Sequence, residues 1–280
     1  MCALAGKAAR AVKRARVAAA AVLLVACNAG PLELAGADDR DAAVSVANGV
    51  DPQIDPQLLP PGAPDRGIYL YWLFDTDSLS TSVDASGHQR AGQFLNLPSL
   101  SDAAPTARTG NQRGLFLNGT GQAVAYTLNV PLSALSFGLW VKPACNAACR
   151  VLSLNAAPSA PVLSLSLNAA SQFQLDSAAP TAPDAGALSN VNASAIGTTL
   201  VVNERWYYVA GTVNAAGEAQ LFVNGKAEAS ATGSTPGSAT QLMLGADSNA
   251  PAGFRGVLDE VIVYDWAVPA AALAQLAAAP

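Results

Sequence analysis

From residue 67 onward the chain consists of short runs in which apolar and polar residues alternate, separated by Gly, Asn, Pro and Ser. In VLSLSL (162–167) the leucines fall on one side and the serines on the other, a period of two that is typical of a strand with one buried side. Many such strands in one continuous stretch favour an all-β, antiparallel two-sheet sandwich. We predict strands at 68–74, 114–118, 123–128, 136–142, 150–154, 162–167, 172–176, 198–202, 206–213, 219–223, 241–245 and 256–265.

Two segments predict more specific local structure. The stretch AQLFVNGKAEA (219–229) reads as a hairpin, because a type I′ turn needs positive φ at both central positions and Asn224-Gly225 tolerates this best. Near the carboxyl end, Pro269 precedes the helix-forming run AAALAQLAAA. We therefore expect one short closing helix with Pro269 at its first position.

Charge is distributed unevenly along the 280 residues, whose formal net charge is −5. The first 32 residues hold five basic and no acidic residues, so the remainder has 10 basic against 20 acidic ones. No basic stripe appears after Arg16. A body this acidic repels phosphate backbones, which argues against a nucleic-acid partner.

Residues 1–27 have the organisation of a secretory signal peptide. A basic region precedes the apolar run VAAAAVLLVA (17–26), which is too short to span a bilayer. The run ends in Leu24-Val25-Ala26-Cys27, which is similar to a bacterial lipobox and implies lipidation of Cys27 and anchoring in the cell envelope. The alternative is an ordinary signal peptide cut at a small-residue site and a secreted product. In both cases we expect no membrane contact other than through a lipid anchor.

The next segment, 28–66, has no aromatic residue and contains DPQIDPQLLPPGAP (51–64). Such a composition cannot bury enough apolar area to fold alone, so we interpret it as a disordered tether.

Four cysteines are present, of which Cys2 leaves with the signal and Cys27 is assigned to the anchor. Cys145 and Cys149 remain, and in an oxidising compartment so close a pair is predicted to form a disulfide, with free thiols as the alternative. A zinc site needs two further ligands, which the single histidine, His88, cannot supply.

Four segments together resemble the LamG-like jelly-roll family of concanavalin A-like sandwiches. In chain order they are YWLFDTDS with VDASGH (71–88), LFLNGTGQAV with LSFGLWVKP (115–124 and 135–143), RWYYVAGTVNAAGEAQLFVNGKAEA (205–229) and GVLDEVIVYDWAVPAAALAQL (256–276). The resemblance covers almost all of 67–280 and implies one jelly-roll domain there. The family hosts binding modules with diverse ligands, so it implies a fold more firmly than a ligand.

The resemblance also implies a structural calcium site near the turn that begins at Asp84. Asp84, Asp259 and either Asp75 or Asp77 could supply the hard oxygen ligands that calcium prefers. This chain has His88 where the family usually has Asn. The alternative is that Asp84 and Ser86 only hydrogen-bond their own turn.

Catalysis finds little support in the sequence. A sugar-cleaving pair needs two carboxyls about 5–9.5 Å apart, whereas on a regular strand Asp259 and Glu260 point to opposite faces and Asp265 lies about 20 Å from Asp259. A Ser-His-Asp triad would have to use His88, which lies in a predicted turn, and no G-x-S-x-G motif occurs. We therefore expect a protein that is not an enzyme.

Aromatic residues are the remaining candidates for ligand contact. Trp72, Phe74, Trp140 and Phe222 lie in strand patterns and are assigned to the core. Consecutive Trp206, Tyr207 and Tyr208 must alternate between faces, so Tyr207 could be exposed, and Phe254 lies in a Gly/Pro-rich loop. The expectation is a non-catalytic envelope module that binds a glycan or a surface protein. The alternative is a structural or adhesion component without a small ligand, and a glycoside hydrolase ranks third.

Overall fold

Strands form most of the regular structure in the computed structural model, which describes residues 68–75, 80–105, 111–129, 131–157, 160–178, 191–233, 235–237, 239–246 and 253–278. The elements are Ile68–Trp72 (β1), Gln93–Leu95 (β2), Ser99–Ser101 (β3), Gly114–Asn118 (β4), Ala123–Thr127 (β5), Leu135–Pro143 (β6), Cys149–Ala157 (β7), Ala160–Leu167 (β8), Phe173–Ala178 (β9), Val191–Ile196 (β10), Tyr207–Val213 (β11), Glu218–Val223 (β12), Lys226–Thr232 (β13), Gln241–Leu244 (β14), Arg255–Tyr264 (β15) and Ala270–Ala278 (α1).

The strands pair into two antiparallel sheets, which confirms the predicted sandwich. One sheet has eight strands in the order β13-β12-β11-β6-β15-β4-β3, with β1 also paired to β15. The other has seven strands in the order β10-β9-β8-β7-β14-β5-β2. The long strand β15 holds β4 along its first half and β1 along its second half, where Ile68 pairs with Tyr264 and Trp72 with Val261.

The core lies between the two sheets and is built by the alternation seen in the sequence. Leu163, Leu165 and Leu167 of β8 are all buried in it, whereas Ser164 and Ser166 point to the other side of the sheet. The largest side chains in the core include Trp72 and Phe173, both at most 1% exposed. Strand β11 alternates in the same way, with Tyr207 and Val209 directed toward this core.

Helix α1 covers the outer face of the eight-stranded sheet. A second apolar cluster forms there, in which Leu273 of the helix packs with Tyr208, Phe222 and Ile262 of the sheet. Pro269 lies just before the helix rather than at its first position, and its carbonyl accepts hydrogen bonds from the N–H groups of Ala272 (3.0 Å) and Leu273 (3.1 Å). The predicted closing helix is thus confirmed, with its start one residue later.

The predicted hairpin is confirmed in detail. Asn224 and Gly225 form a two-residue turn with φ of 49° and 77°, and Val223 pairs with Lys226 across it. The turn also contacts two other elements. Asn224 Oδ1 accepts the N–H of Tyr208 in β11 at 2.9 Å. Gly225 packs so closely on α1 that an added Cβ would lie 3.2 Å from the carbonyl oxygen of Ala274.

The predicted strand at 198–202 is wrong. These residues form the loop between β10 and β11, and the strand lies upstream at Val191–Ile196. The reason is that the N–H groups of Thr198 and Thr199 donate to the carboxylate of Glu228, at 2.9 and 3.0 Å, instead of to a neighbouring strand. The short strands β2 and β3 were not predicted, since three residues carry too little periodicity to be recognised.

Cys145 and Cys149 form the predicted disulfide, with their Cα atoms 6.5 Å apart. The predicted signal peptide with Cys27, the tether at 28–66 and Asp77 lie outside the described residues. In the part of the chain that the structure describes, no helix has the length and apolar character needed to cross a membrane.

Candidate functional site

A β-bulge in β15 brings two carboxyls to the same side of the strand. Asp259 pairs with Trp140 and Ile262 with Gly138, so β15 has one more residue than β6 in this interval. Glu260, within the bulge, has a left-handed φ of 49°, which is the conformation found at the first position of a G1-type bulge. The expectation that Asp259 and Glu260 point to opposite faces is therefore wrong, because it assumed a regular strand.

The two carboxyls share one amide. Asn111 Nδ2 donates to Asp259 Oδ2 at 2.8 Å and to Glu260 Oε1 at 3.0 Å, while Asn111 Oδ1 is withdrawn from solvent without a hydrogen-bond partner. Asp75 joins from the end of β1, where its Oδ1 accepts the N–H groups of Gln112 and Arg113 at 2.8 and 3.0 Å. We call Asp75, Asn111, Asp259 and Glu260 the acidic cluster.

Burial gives the acidic cluster an unusual electrostatic environment. Asp259 is 0% and Glu260 6% exposed. Burial raises the pKa of the Asp259 carboxyl well above its usual range, and the neighbouring charge of Glu260 raises it further, against the hydrogen bond from Asn111. A positive ion near these oxygens would relieve both effects.

Asp84 takes no part in this cluster. Its Oδ1 accepts the N–H groups of Tyr71 (2.9 Å) and Ser86 (3.0 Å), and its Oδ2 accepts that of Arg90 (2.8 Å). These bonds are the turn chemistry foreseen as the alternative for Asp84. Within the described ranges no three His, Cys, Asp or Glu side chains gather where they could hold a metal ion, so Asp75, Asp84 and Asp259 do not form such a trio.

The exposure expected for two aromatic rings is also wrong. Tyr207 is 7% exposed and packs edge-on against Phe173, with ring centroids 5.8 Å apart. Phe254 is fully buried in the core. Both rings fill the sandwich interior and present no face to a ligand.

The outer face of the seven-stranded sheet has a different character from the helix-covered face of the other sheet. The cross-strand pairs Ser153–Ser164, Ser164–Asp176 and Asp176–Ser194 form one row across β7, β8, β9 and β10. Polar side chains flank this row. We call the whole set the polar face, and it consists of Ser153, Asn155, Ser164, Ser166, Gln174, Asp176 and Ser194.

Hydrogen bonding within the polar face is incomplete. Asp176 Oδ1 accepts from Gln174 Nε2 at 2.8 Å and from Ser194 Oγ at 2.6 Å. Asn155 and Ser164, at 0% and 1% exposure, each have a buried oxygen that lacks a partner, Oδ1 and Oγ respectively. Such an atom costs about 1–3 kcal/mol unless something supplies the missing bond.

The sequence contained part of this site without revealing it. The alternation in VLSLSL placed the serines opposite the core, but only the strand register shows that Ser164 lies between Ser153 and Asp176. The row contains no aromatic residue, so a search for aromatic side chains misses its hydrogen-bonding groups.

Comparison with known proteins identifies one family and several solved structures with the same fold. A family model described as the concanavalin A-like lectin/glucanases superfamily matches residues 117–274. A search of proteins with curated functions gave no match.

Several solved structures share the fold. Domain 4 of AbnA, a GH43 extracellular arabinanase from Geobacillus stearothermophilus solved with arabinotriose, is 19% identical, with a TM-score of 0.53 over 76% of this chain and 98% of that domain. The binding domain of Paraclostridial Mosquitocidal Protein 1 is 13% identical, with a TM-score of 0.58 over 75% of this chain and 52% of that one. The Trypanosoma rangeli sialidase is 15% identical, with a TM-score of 0.55 over 84% of this chain but only 36% of the sialidase. At these identities the likeness concerns the fold.

Proposed function

Because the chain belongs to the concanavalin A-like lectin/glucanase superfamily, we propose that it is a non-catalytic recognition module of the cell envelope that binds a glycan on the polar face. The observation that carries this proposal is the row of hydrogen-bonding side chains on that face, of which Ser166, Gln174 and Ser194 are accessible to a ligand. Sugar hydroxyls can donate to these side chains and accept from them. The arabinotriose bound to the AbnA domain is a precedent within the fold.

Binding without catalysis is favoured by the state of the two adjacent carboxyls. Glycoside hydrolysis needs carboxyls on both sides of a bond that the substrate can bring between them. Asp259 instead uses Oδ2 to accept from Asn111 and Oδ1 to accept the N–H of Glu260 at 2.8 Å, and it is fully buried. Both oxygens of the Asp259 carboxyl are thus engaged in hydrogen bonds inside the protein.

Location in the envelope rests on the signal-like segment 1–27 and on Cys27 as the lipid attachment site. The disulfide between Cys145 and Cys149 is consistent with an oxidising compartment. Mass spectrometry of the mature amino terminus tests this placement, and an unmodified terminus away from Cys27 would exclude the anchor and leave secretion.

The glycan proposal predicts that Ser166→Ala affects binding and not stability. Removing this partly exposed hydroxyl from the surface of β8 should change the free energy of unfolding by less than about 0.5 kcal/mol. The same change should weaken glycan binding by about five- to tenfold, the value of one hydrogen bond. Titration calorimetry with a ligand from a glycan microarray that includes arabinotriose measures the affinity, and denaturant unfolding measures the stability.

Ser99→Ala is the matched control, since it removes an exposed hydroxyl from β3 of the other sheet. It should change neither quantity. Equal affinity of Ser166→Ala and the parent chain would contradict a glycan site on the polar face. If no glycan binds with or without calcium, and crosslinking captures a protein instead, a structural or adhesion role replaces the glycan proposal.

We also propose a structural calcium ion at the acidic cluster. Carboxylate and amide oxygens fit a hard cation, and Asn111, whose Oδ1 lacks a partner, is the residue that contacts both Asp259 and Glu260. Asn111, Asp259 and Glu260 would hold the ion, and Asp75 would not be a ligand. The ion would neutralise the buried negative charge on β15.

The melting temperature should then be about 5 °C higher in excess calcium than in excess chelator, because the ion binds the folded state alone. Asp259→Asn should abolish the rise. Asp84→Asn should lower the melting temperature through loss of its backbone contacts yet retain the calcium response. A response lost with Asp84→Asn and kept with Asp259→Asn would contradict this assignment.

A further inference from the structure

Exposed apolar side chains are concentrated at one end of the sandwich. The described part of the chain has six large apolar side chains with high exposure, and five of them belong to this end. They are Leu95 (37%), Leu97 (77%), Ile196 (46%), Leu200 (69%) and Val202 (51%), and we call them the apolar end. The sixth, Val83, lies on the segment beside β2 that runs away from this end.

The strand register places these residues at the same level. Leu95 is the last residue of β2 and Ile196 the last of β10, and these are the two edge strands of the seven-stranded sheet. Alternating antiparallel pairs across the sheet make both strands run in the same direction. The chain therefore leaves the sheet at the same end on both edges, about 30 Å apart, and Leu97 and Leu200 follow there.

At the first edge, the backbone holds Leu97 outward. Asn96 and Leu97 both have left-handed φ, 57° and 53°, which is unfavourable for leucine. Two side-chain bonds keep the turn in place: Asn96 Nδ2 donates to the carbonyl of Gly121, and Gln122 Nε2 donates to that of Leu97, both at 2.7 Å. The most exposed leucine of the described chain is thus fixed in position by its neighbours.

At the second edge, the loop between β10 and β11 is equally well fixed. The Glu228 carboxylate accepts the N–H groups of Thr198 and Thr199, and Tyr207 Oη accepts that of Val202 at 2.9 Å. Val201 points inward at 8% exposure, so its neighbours Leu200 and Val202 point outward.

The charges at this end are the reverse of those of the chain as a whole, whose net charge is −5. The strand ends and loops that meet there hold Lys142, Arg205, Lys226 and Arg255 against Glu204 and Glu228. Lys142 and Glu204 pair with each other at 3.2 Å. Exposed apolar tips within a basic surface are the combination that binds an anionic bilayer.

We infer that the apolar end docks on the surface of an anionic lipid bilayer, with Leu97 and Leu200 inserted at its two corners. A plane can contact two rigid tips about 30 Å apart at once, whereas a small ligand would contact one. This adds a second membrane contact to the expected lipid anchor. It would leave the polar face roughly perpendicular to the membrane and open to a glycan.

Site-directed fluorescence in the full chain tests this inference. Cys2 and Cys27 are replaced by serine, and bimane is attached to Leu97→Cys, Leu200→Cys or Val83→Cys in three otherwise identical proteins. The disulfide between Cys145 and Cys149 leaves those thiols unreactive. Vesicles of phosphatidylcholine with or without phosphatidylglycerol carry nitroxide lipids, and thermal unfolding confirms that each protein is folded.

Anionic vesicles should quench bimane at 97 and at 200 by about twofold or more, high salt should reduce the effect, and Val83→Cys should stay unquenched. Attachment through the amino-terminal apolar run alone would leave all three positions alike. Equal signals at the three positions, quenching at only one corner, or no quenching at 97 and 200 would each overturn the inference. A lack of quenching accompanied by binding to an acidic polymer would assign the end to a different partner.

Discussion

Replacing Phe254 by alanine is expected to lower the free energy of unfolding by about 4 kcal/mol. The ring is fully buried and belongs to the main core, at the point where the chain enters β15. Its N–H also donates to the carbonyl of Gly245 at 2.6 Å, which holds the ring-bearing segment in place. Truncation would leave a cavity among residues that cannot collapse to fill it.

Denaturant unfolding of the two proteins measures the difference. Leu200→Ala is the control, because it also shortens a large apolar side chain but one that is 69% exposed, and it should change stability by less than about 0.5 kcal/mol. A stable Phe254→Ala protein that had lost only ligand binding would restore the idea of a rim contact.

Gly138→Ala is expected to cost about 3 kcal/mol, through overpacking rather than a cavity. A Cβ at this position of β6 would lie 2.1 Å from Tyr208 Oη and 2.8 Å from its Cζ. Tyr208 cannot easily move aside, since it is 3% exposed, its ring packs edge-on against Trp140, and its N–H is bonded to Asn224. The melting temperature should fall by about 10 °C.

Gly237→Ala is the comparison, because its new Cβ would meet nothing closer than 3.6 Å. It should leave the melting temperature nearly unchanged. A second change, Tyr208→Leu, should cost less in the Gly138→Ala background than in the parent chain, because the clash disappears with the ring. Strict additivity of the two changes would show that Gly138 is needed for another reason.

The features that the sequence predicted well are those that a local pattern determines. Alternation located most of the strands, and Asn224-Gly225 specified its turn because few residue pairs accept two positive φ values. The TTLVV run shows the limit of this reasoning. Its alternation of buried and exposed side chains is real, but Glu228, thirty residues away, takes the backbone N–H groups that a strand needs.

The candidate sites were harder to predict because they depend on contacts between distant segments. Glu260 carries no sequence signal for the bulge that turns it to the same side as Asp259, and Asn111 joins the pair from a segment with no recognisable motif. The polar face likewise appears only when Ser153, Ser164 and Asp176 are aligned by register. Periodicity assigns a residue to a face but not to a neighbour.

The pairing of β1 with β15 determines when this domain can complete its fold. Strand β1 is the first of the described strands to be synthesised, yet Ile68 pairs with Tyr264 of the last of them, β15. The loop that must close contains nearly the whole domain, so a large entropy cost precedes this contact and high contact order makes folding slow. The larger sheet can therefore be completed only after β15 has been synthesised.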